Sequence, residues 1–126
     1  SPMMKKTVLT LGVLVLVMAS LTACAGGAID DAANAFMTAL ANEDYAAAFD
    51  LSGPQLQAEV GSAEGLAAAI PGGLSEWTFT SINQENNTAT MQGTGTRDGD
   101  TYNVGLYLEK VGDTWKVEGY SAELAP

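Results

Sequence analysis

The stretch Thr88–Glu118, TATMQGTGTRDGDTYNVGLYLEKVGDTWKVE, has the two-residue hydrophobic period of β-strands over most of its length. Two turn signals, Asp98-Gly99-Asp100 and Gly112-Asp113, interrupt the period with residues that close tight hairpins. The stretch therefore predicts three antiparallel strands with one buried face. The apolar residues predicted on that face are Ala89, Met91, Tyr102, Val104, Leu106, Leu108, Trp115 and Val117.

A fourth strand is predicted immediately before this stretch. Trp77 and Phe79 alternate with threonines, and Asn86-Asn87 supplies the turn into Thr88. The prediction is a four-stranded antiparallel meander over residues 75–121, whose buried face needs a covering layer. Glycines inside the strands, at positions 93, 95, 105 and 119, indicate bends that curve the sheet.

The covering layer is predicted from residues 29–70, which are rich in alanine, leucine and acidic residues. Ile29, Ala33, Phe36 and Leu40 recur at the spacing of one helix face, and turn residues divide the rest of the segment into shorter helices. Helices followed by strands indicate the α+β class. We therefore expect N-terminal helices packed on a curved four-stranded antiparallel sheet.

The N-terminus has the three-part order of an export signal. Lys5 and Lys6 precede an apolar run, residues 8–19, that is shorter than the ~20 residues of a membrane-spanning helix. Leu21-Thr22-Ala23-Cys24 then fits a lipobox, in which the cysteine sulfur accepts a diacylglyceryl group that anchors the chain to a membrane. We predict a lipoprotein of the cell envelope that faces the periplasm or the cell exterior. Its predicted parts are a signal peptide (1–23), a lipidated cysteine and tether (24–28) and a single α+β domain (29–126).

Charge and composition exclude several classes of function. Lys5 and Lys6 are two of the five basic residues, so the chain from Cys24 onward has three basic against 15 acidic residues, a net charge of −12. Such a charge repels phosphates, so no nucleic-acid partner is expected. The chain has no histidine, and Cys24 is its one cysteine. We therefore expect no zinc or other metal site, no histidine-dependent nucleophilic catalysis and no cofactor.

The acidic residues of the predicted sheet offer no catalytic group. Asp98, Asp100 and Asp113 lie in predicted turns, and Glu109 and Glu118 are predicted to point outward or to lie at strand ends. A carboxylate poised for acid or base catalysis needs burial, and the pattern places none in the core. We therefore predict no catalytic residues and no enzymatic activity.

The aromatic residues are candidates for a ligand pocket or a contact surface. Tyr107 and Tyr120 are predicted on the face of the sheet opposite the helices, where they could form a surface for a protein partner, because tyrosine is enriched in interfaces. The remaining candidates are predicted to form either the hydrophobic core or the lining of a pocket, and they are Phe36, Phe49, Trp77, Tyr102 and Trp115.

The order of several short motifs over residues 29–121 resembles the nuclear transport factor 2-like superfamily. These motifs are Ala33 with Phe36-Met37-Thr38-Ala39-Leu40, then Glu43-Asp44-Tyr45 and Leu51-Ser52, and finally Trp115-Lys116-Val117. The resemblance implies a cone, in which a curved antiparallel sheet wraps around helices and leaves a cavity at its wide end. The superfamily holds isomerases, cyclases, dehydratases and many non-enzymatic members. Its ketosteroid-isomerase-like members carry a tyrosine on the first helix, where this chain offers Phe36.

These observations leave three hypotheses for function. The first is a lipid-anchored, non-enzymatic domain that binds a small apolar ligand or a protein partner in the cell envelope. The second is an accessory subunit of a larger membrane assembly, and the third is an isomerase- or cyclase-like enzyme. A buried carboxylate that faces a pocket would favour the enzyme.

Overall fold

The structure, a computed structural model, describes residues 27–126. The predicted signal peptide, the lipobox residues Leu21, Thr22 and Ala23, and the predicted lipidation site Cys24 lie outside this range. In the part of the chain that is described, no helix has both the length and the apolarity to cross a membrane. The helices are α1 Gly27–Ala41, α2 Tyr45–Leu51, α3 Pro54–Val60 and α4 Ala63–Ala69. The strands are β1 Glu76–Glu85, β2 Thr88–Arg97, β3 Asp100–Val111 and β4 Thr114–Leu124.

The predicted α+β class and the four-stranded antiparallel meander are confirmed. The strand order is β1-β2-β3-β4, and every neighbouring pair is antiparallel. The hairpin turns require left-handed backbone: Asn86, Asp98 and Gly112 all have positive φ. Asparagine, aspartate and glycine tolerate this conformation best, which is why these residues marked the turns in the sequence.

The short helices begin where polar side chains can accept hydrogen bonds from their first turns. Asp44 caps α2 by accepting from the Ala47 amide, and Ser62 caps α4 by accepting from the Gly65 amide. The start of α3 is different, because its N-cap is Gly53, which has no side chain to offer.

The core lies between α1 and the inner face of the sheet. Four of the five side chains predicted to face the helices, Met91, Leu106, Trp115 and Val117, are buried, as predicted. Trp77 is half-buried and points toward α1, where its Nε1 donates to Asn34 Oδ1 at 2.8 Å. The largest fully buried apolar side chains fill the interior, and they are Phe36, Met37, Leu40, Leu66, Leu74, Met91, Leu108 and Val117.

A β-bulge in β4 changes the faces of the residues that follow it. Tyr107 pairs with Gly119 and Leu108 pairs with Val117, so Glu118 is the extra residue. Val117 and Glu118 are consequently both buried, and Tyr120 then pairs with Leu106 on the inner face. Two predictions are therefore wrong: Glu118 does not point outward, and Tyr120 does not share a face with Tyr107.

Candidate functional site

Two open clefts adjoin at the edge of the helical layer and share Ala69, Ile70 and Tyr120. The larger, here the helical cleft, has a volume of about 580 Å³ and lies between α3, α4 and β4. The smaller, here the arginine cleft, has a volume of about 280 Å³ and contains Arg97 and Tyr102. Together they form one groove with Tyr120 at its centre.

Glu118 is the buried carboxylate of the groove, with only 7% of its surface exposed. Its Oε1 accepts a hydrogen bond of 2.8 Å from the backbone amide of Leu56, in the first turn of α3. The carboxylate lies directly over Gly53, where a Cβ would overlap it. Glu118 therefore replaces the capping side chain that Gly53 lacks, and the bulge in β4 is what turns it toward α3.

The second carboxylate oxygen of Glu118 has no hydrogen-bond partner among the described residues and is inaccessible to solvent. A buried acceptor without a partner costs on the order of 1–3 kcal/mol. The hydrogen bond between Glu118 Oε1 and the Leu56 amide has to offset this cost. The expectation that no carboxylate lies in the core is wrong for this residue, because the sequence pattern assumed an unbroken strand register.

The chain before α3 lies along the free edge of β4. The Gly53 amide donates to the Val117 carbonyl at 2.8 Å, and Ser52 forms a parallel bridge with Val117. On the same edge, Lys116 Nζ donates to the Asp50 carbonyl at 2.8 Å. These bonds fix α3 against the sheet and so define one wall of the helical cleft.

Tyr45 holds the connection between α4 and β1 that forms the opposite wall. Its hydroxyl donates to the Ile70 carbonyl at 2.8 Å and accepts from the Gly72 amide at 2.6 Å. A side chain of α2 thus reinforces this irregular segment, in which the Gly72 amide also donates to the Ile70 carbonyl at 2.8 Å. Tyr45 therefore ties this wall to α2.

Arg97 lies in the smaller cleft, and its guanidinium contacts a backbone carbonyl and an aromatic ring. Its Nη1 donates to the Gly72 carbonyl at 3.3 Å, and its guanidinium carbon lies 5.9 Å from the centre of the Tyr102 ring. Asp98 and Asp100 follow closely in sequence, yet within residues 27–126 the guanidinium forms no ion pair with a carboxylate. A guanidinium has five N–H donors, so most of those of Arg97 remain available in the groove.

Tyr120 separates the two clefts and is packed on the core. Its ring centre lies 6.2 Å from that of Phe36 at a tilted angle of 55°. Burial raises the pKa of the Tyr120 hydroxyl, Arg97 opposes this effect, and Tyr45 adds to it. The hydroxyl therefore keeps its proton at neutral pH and can donate a hydrogen bond into the groove.

The predicted aromatic candidates are distributed over three environments. Phe36 and Trp115 are buried core residues, and Phe49 and Trp77 are half-buried residues packed on the core. Of these five candidates, Tyr102 alone lines the groove.

Tyr107 lies on the outer face of the sheet, as predicted. Its hydroxyl donates to Glu109 Oε2 at 2.9 Å, and this hydrogen bond raises the pKa of the tyrosine. A partner-binding role for Tyr107 or Tyr120 stays a prediction.

The sequence pattern did not place Glu118 or Arg97 in the groove. Arg97 carried no signal, because its neighbours Asp98 and Asp100 suggested an ordinary charged turn. A weak signal existed for Glu118: Gly53-Pro54 begins a helix without a capping side chain, so an acceptor had to come from elsewhere. The described residues contain no group of three or more Asp, Glu or Cys side chains arranged to hold a metal ion.

Comparison with known proteins identifies the fold. No protein-family model and no curated protein matches the chain. Among solved structures, an NTF-2 like protein of unknown function from Shewanella oneidensis has a TM-score of 0.57 and 19% identity, covering 77% of this chain and 97% of that one. A protein of unknown function with a cystatin-like fold from Nostoc punctiforme has a TM-score of 0.58 and 16% identity, with coverages of 79% and 90%. An NTF-2 like protein of unknown function from Burkholderia xenovorans has a TM-score of 0.53 and 18% identity, covering 79% of this chain and 84% of that one. This chain has the same NTF-2 like, cystatin-like fold.

Proposed function

We propose that this chain is a membrane-anchored domain of the cell envelope that binds a small, largely apolar ligand in the groove. The observation that carries the proposal is the helical cleft, whose walls include Leu56, Val60, Ala68 and Ile70. Its volume of about 580 Å³ lies within the range of ~300–1,000 Å³ that is typical of small-molecule sites.

Buried side chains fill the interior of the fold, which supports the groove as the location of the ligand. Phe36, Met37 and Leu66 are fully buried and fill the space between the helices and the sheet. The groove is built from rigid pieces, because the Gly53–Val117 bond fixes one wall and Tyr45 fixes the other. A preformed site of this kind loses little ordering entropy when a ligand binds.

The membrane anchor is the second part of the proposal and rests on the sequence. Cys24 follows a lipobox, and the net charge of −12 from that residue onward disfavours electrostatic docking on anionic lipid. Covalent acyl chains are therefore the means of attachment that the chain offers. Cys24→Ser should leave the protein without added lipid mass, as measured by intact-mass spectrometry of the membrane fraction. A mature N-terminus at any residue other than Cys24 would contradict the anchor.

Ligand binding is tested with octanol as a neutral probe and the full chain in phosphatidylcholine nanodiscs. The expected result is saturable movement of the Ala69 methyl and Tyr120 ring NMR signals. Ala68→Trp places an indole in the helical cleft at an exposed position, so it should abolish the response. Ala58→Trp adds the same side chain at an exposed position of α3 that does not line the cleft, and it should leave the response intact. An unchanged response in Ala68→Trp would overturn the proposed site.

Glu118 favours a second candidate, an enzyme that transfers protons, because this buried carboxylate and Tyr120 line the same cleft. Binding without catalysis remains the proposal, since one oxygen of Glu118 accepts from Leu56 and the other is inaccessible over Gly53. The discriminating experiment is deuterium exchange at the α-carbon of cyclohexanone in heavy water. We expect the rate of the buffer alone, and an acceleration that Glu118→Gln removes would establish the enzyme instead.

A further inference from the structure

The charges of the groove are segregated between its two ends. Glu59 and Glu118 belong to the helical cleft, and Arg97 belongs to the arginine cleft. The wall between them is apolar, because the two clefts share Ala69 and Ile70. Among residues 27–126, a ligand that spans the groove therefore meets a positive charge at one end only.

Glu118 and Arg97 differ in what they can offer a ligand. Glu118 has one oxygen bonded to the Leu56 amide and the other excluded from solvent, so neither is available to a cation. Arg97 is partly exposed and uses one donor on the Gly72 carbonyl, at the long distance of 3.3 Å. Its remaining donors form a planar fork that matches the two oxygens of a carboxylate.

The orientation of Arg97 is itself informative. Asp98 and Asp100 lie within three residues of Arg97 in a chain with 15 acidic residues, so groups of opposite charge are close to it in sequence. Here the Tyr102 ring and the Gly72 carbonyl hold it over the cleft instead. Tyr120 stands beside it with a hydroxyl that has no hydrogen-bond partner within the described range.

Resting on the proposed function, we infer that the ligand is a small carboxylate with an apolar tail. Arg97 and the Tyr120 hydroxyl bind its carboxylate, and the tail lies along Ile70 into the helical cleft. The reverse orientation would place the anion beside Glu59 and Glu118. The net negative charge of the domain does not prevent this binding, because exposed charges beyond ~8 Å are largely screened at physiological salt.

The inference is tested with three matched probes, octanoate, octanol and octylamine, on the full chain in phosphatidylcholine nanodiscs. Dissociation constants are read from the Ala69 methyl and Tyr120 ring signals in wild type and in Arg97→Met. We expect Arg97→Met to weaken octanoate about tenfold and to change octanol less than about twofold. Comparing the two variants for each probe cancels the partition of that probe into lipid.

Arg97→Lys is a second variant, which keeps the test decisive if Arg97→Met fails to fold. It retains the charge and loses the planar fork, so octanoate binding should weaken by an intermediate amount while the circular dichroism stays that of wild type. Equal losses for octanoate and octanol, an unaltered affinity for octanoate in both variants, or tightest binding of octylamine would each overturn the inference. Octanol binding would leave the proposed function standing in these cases, whereas no response to any probe would overturn the proposed function itself.

Discussion

The hairpin of β2 and β3 and the hairpin of β3 and β4 differ in one residue, and that residue changes the chemistry of the protein. In the first hairpin the pairing runs without a break from Thr88↔Glu109 to Arg97↔Asp100. In the second, Glu118 is inserted between two pairs, which turns its carboxylate and the Tyr120 ring inward. The regular alternation of inward and outward side chains thus forms the core. The bulge at Glu118, which interrupts this alternation, places Glu118 and Tyr120 in the groove.

The extra residue of the bulge forms its hydrogen bond outside the sheet. The Leu56 amide needs an acceptor because Gly53 has no side chain, and Glu118 supplies that acceptor from 62 residues further along the chain. Gly53 in turn has room for the carboxylate because it lacks a Cβ. Gly53 and the bulge at Glu118 therefore depend on each other, and each would be unfavourable without the other.

The largest effect is expected in the regular hairpin. Leu108 is fully buried and pairs with both neighbouring strands, so Leu108→Ala should cost ~2–5 kcal/mol in the free energy of unfolding. Asn103→Ala, on the exposed face of the same strand, should cost less than ~0.5 kcal/mol. Urea denaturation measures both values. A loss below about 1 kcal/mol for Leu108→Ala would mean that the core is not organised by this alternation.

The next effect concerns the contact on which the bulge depends. Gly53→Ala places a methyl group against the Glu118 carboxylate, which should cost ~1–3 kcal/mol by overpacking. The backbone of Gly53 is extended, with φ −83°, so strain from a forbidden conformation does not contribute. In the background of Glu118→Ala the same methyl group should cost markedly less. Additive losses in the double variant would show that the two residues do not interact.

Glu118 itself is expected to contribute a smaller amount. Glu118→Ala removes the cap of α3 and also an unpartnered buried oxygen, so the net loss should be ~1–2 kcal/mol. Glu118→Gln keeps an acceptor for the Leu56 amide and should lose less. Hydrogen exchange of that amide should accelerate in Glu118→Ala, whereas Glu123→Ala, at an exposed position of β4, should leave it unchanged. Equal protection in both variants would contradict the cap.

The sequence predicted the parts of the fold that depend on local pattern. The strands and the hairpin turns at Asp98 and Gly112 follow from neighbouring residues alone. The groove depends on contacts between distant residues: Leu56 with Glu118, and Gly72 with Arg97. No periodicity encodes such pairs, so the sheet was predictable and its candidate site was not.

The smallest expected effect compares two tyrosines that the bulge places on opposite faces. The pKa of Tyr107 is raised chiefly by its hydrogen bond to Glu109, and the pKa of Tyr120 is raised chiefly by burial. Glu109→Gln should therefore lower the pKa of Tyr107 toward 10.0 and leave the pKa of Tyr120 unchanged, as followed by ring-carbon NMR. Equal movement of the Tyr107 and Tyr120 resonances would contradict the placement of these two side chains on opposite faces of the sheet.

The raised pKa of Tyr120 also fixes the sign of a stability change at alkaline pH. Below pH 10.0, the pKa of this tyrosine in the unfolded state, the folded and unfolded states both keep the proton. The full contribution of the Tyr120 hydroxyl to stability is then present. Above that pH the unfolded state loses its proton first, so stability falls until the pKa of the folded state has been passed. Tyr120→Phe should therefore make the free energy of unfolding fall less steeply between about pH 9 and pH 11. An unchanged slope would mean that burial does not separate the two states of this hydroxyl, and the inward turn of Tyr120 would then be wrong.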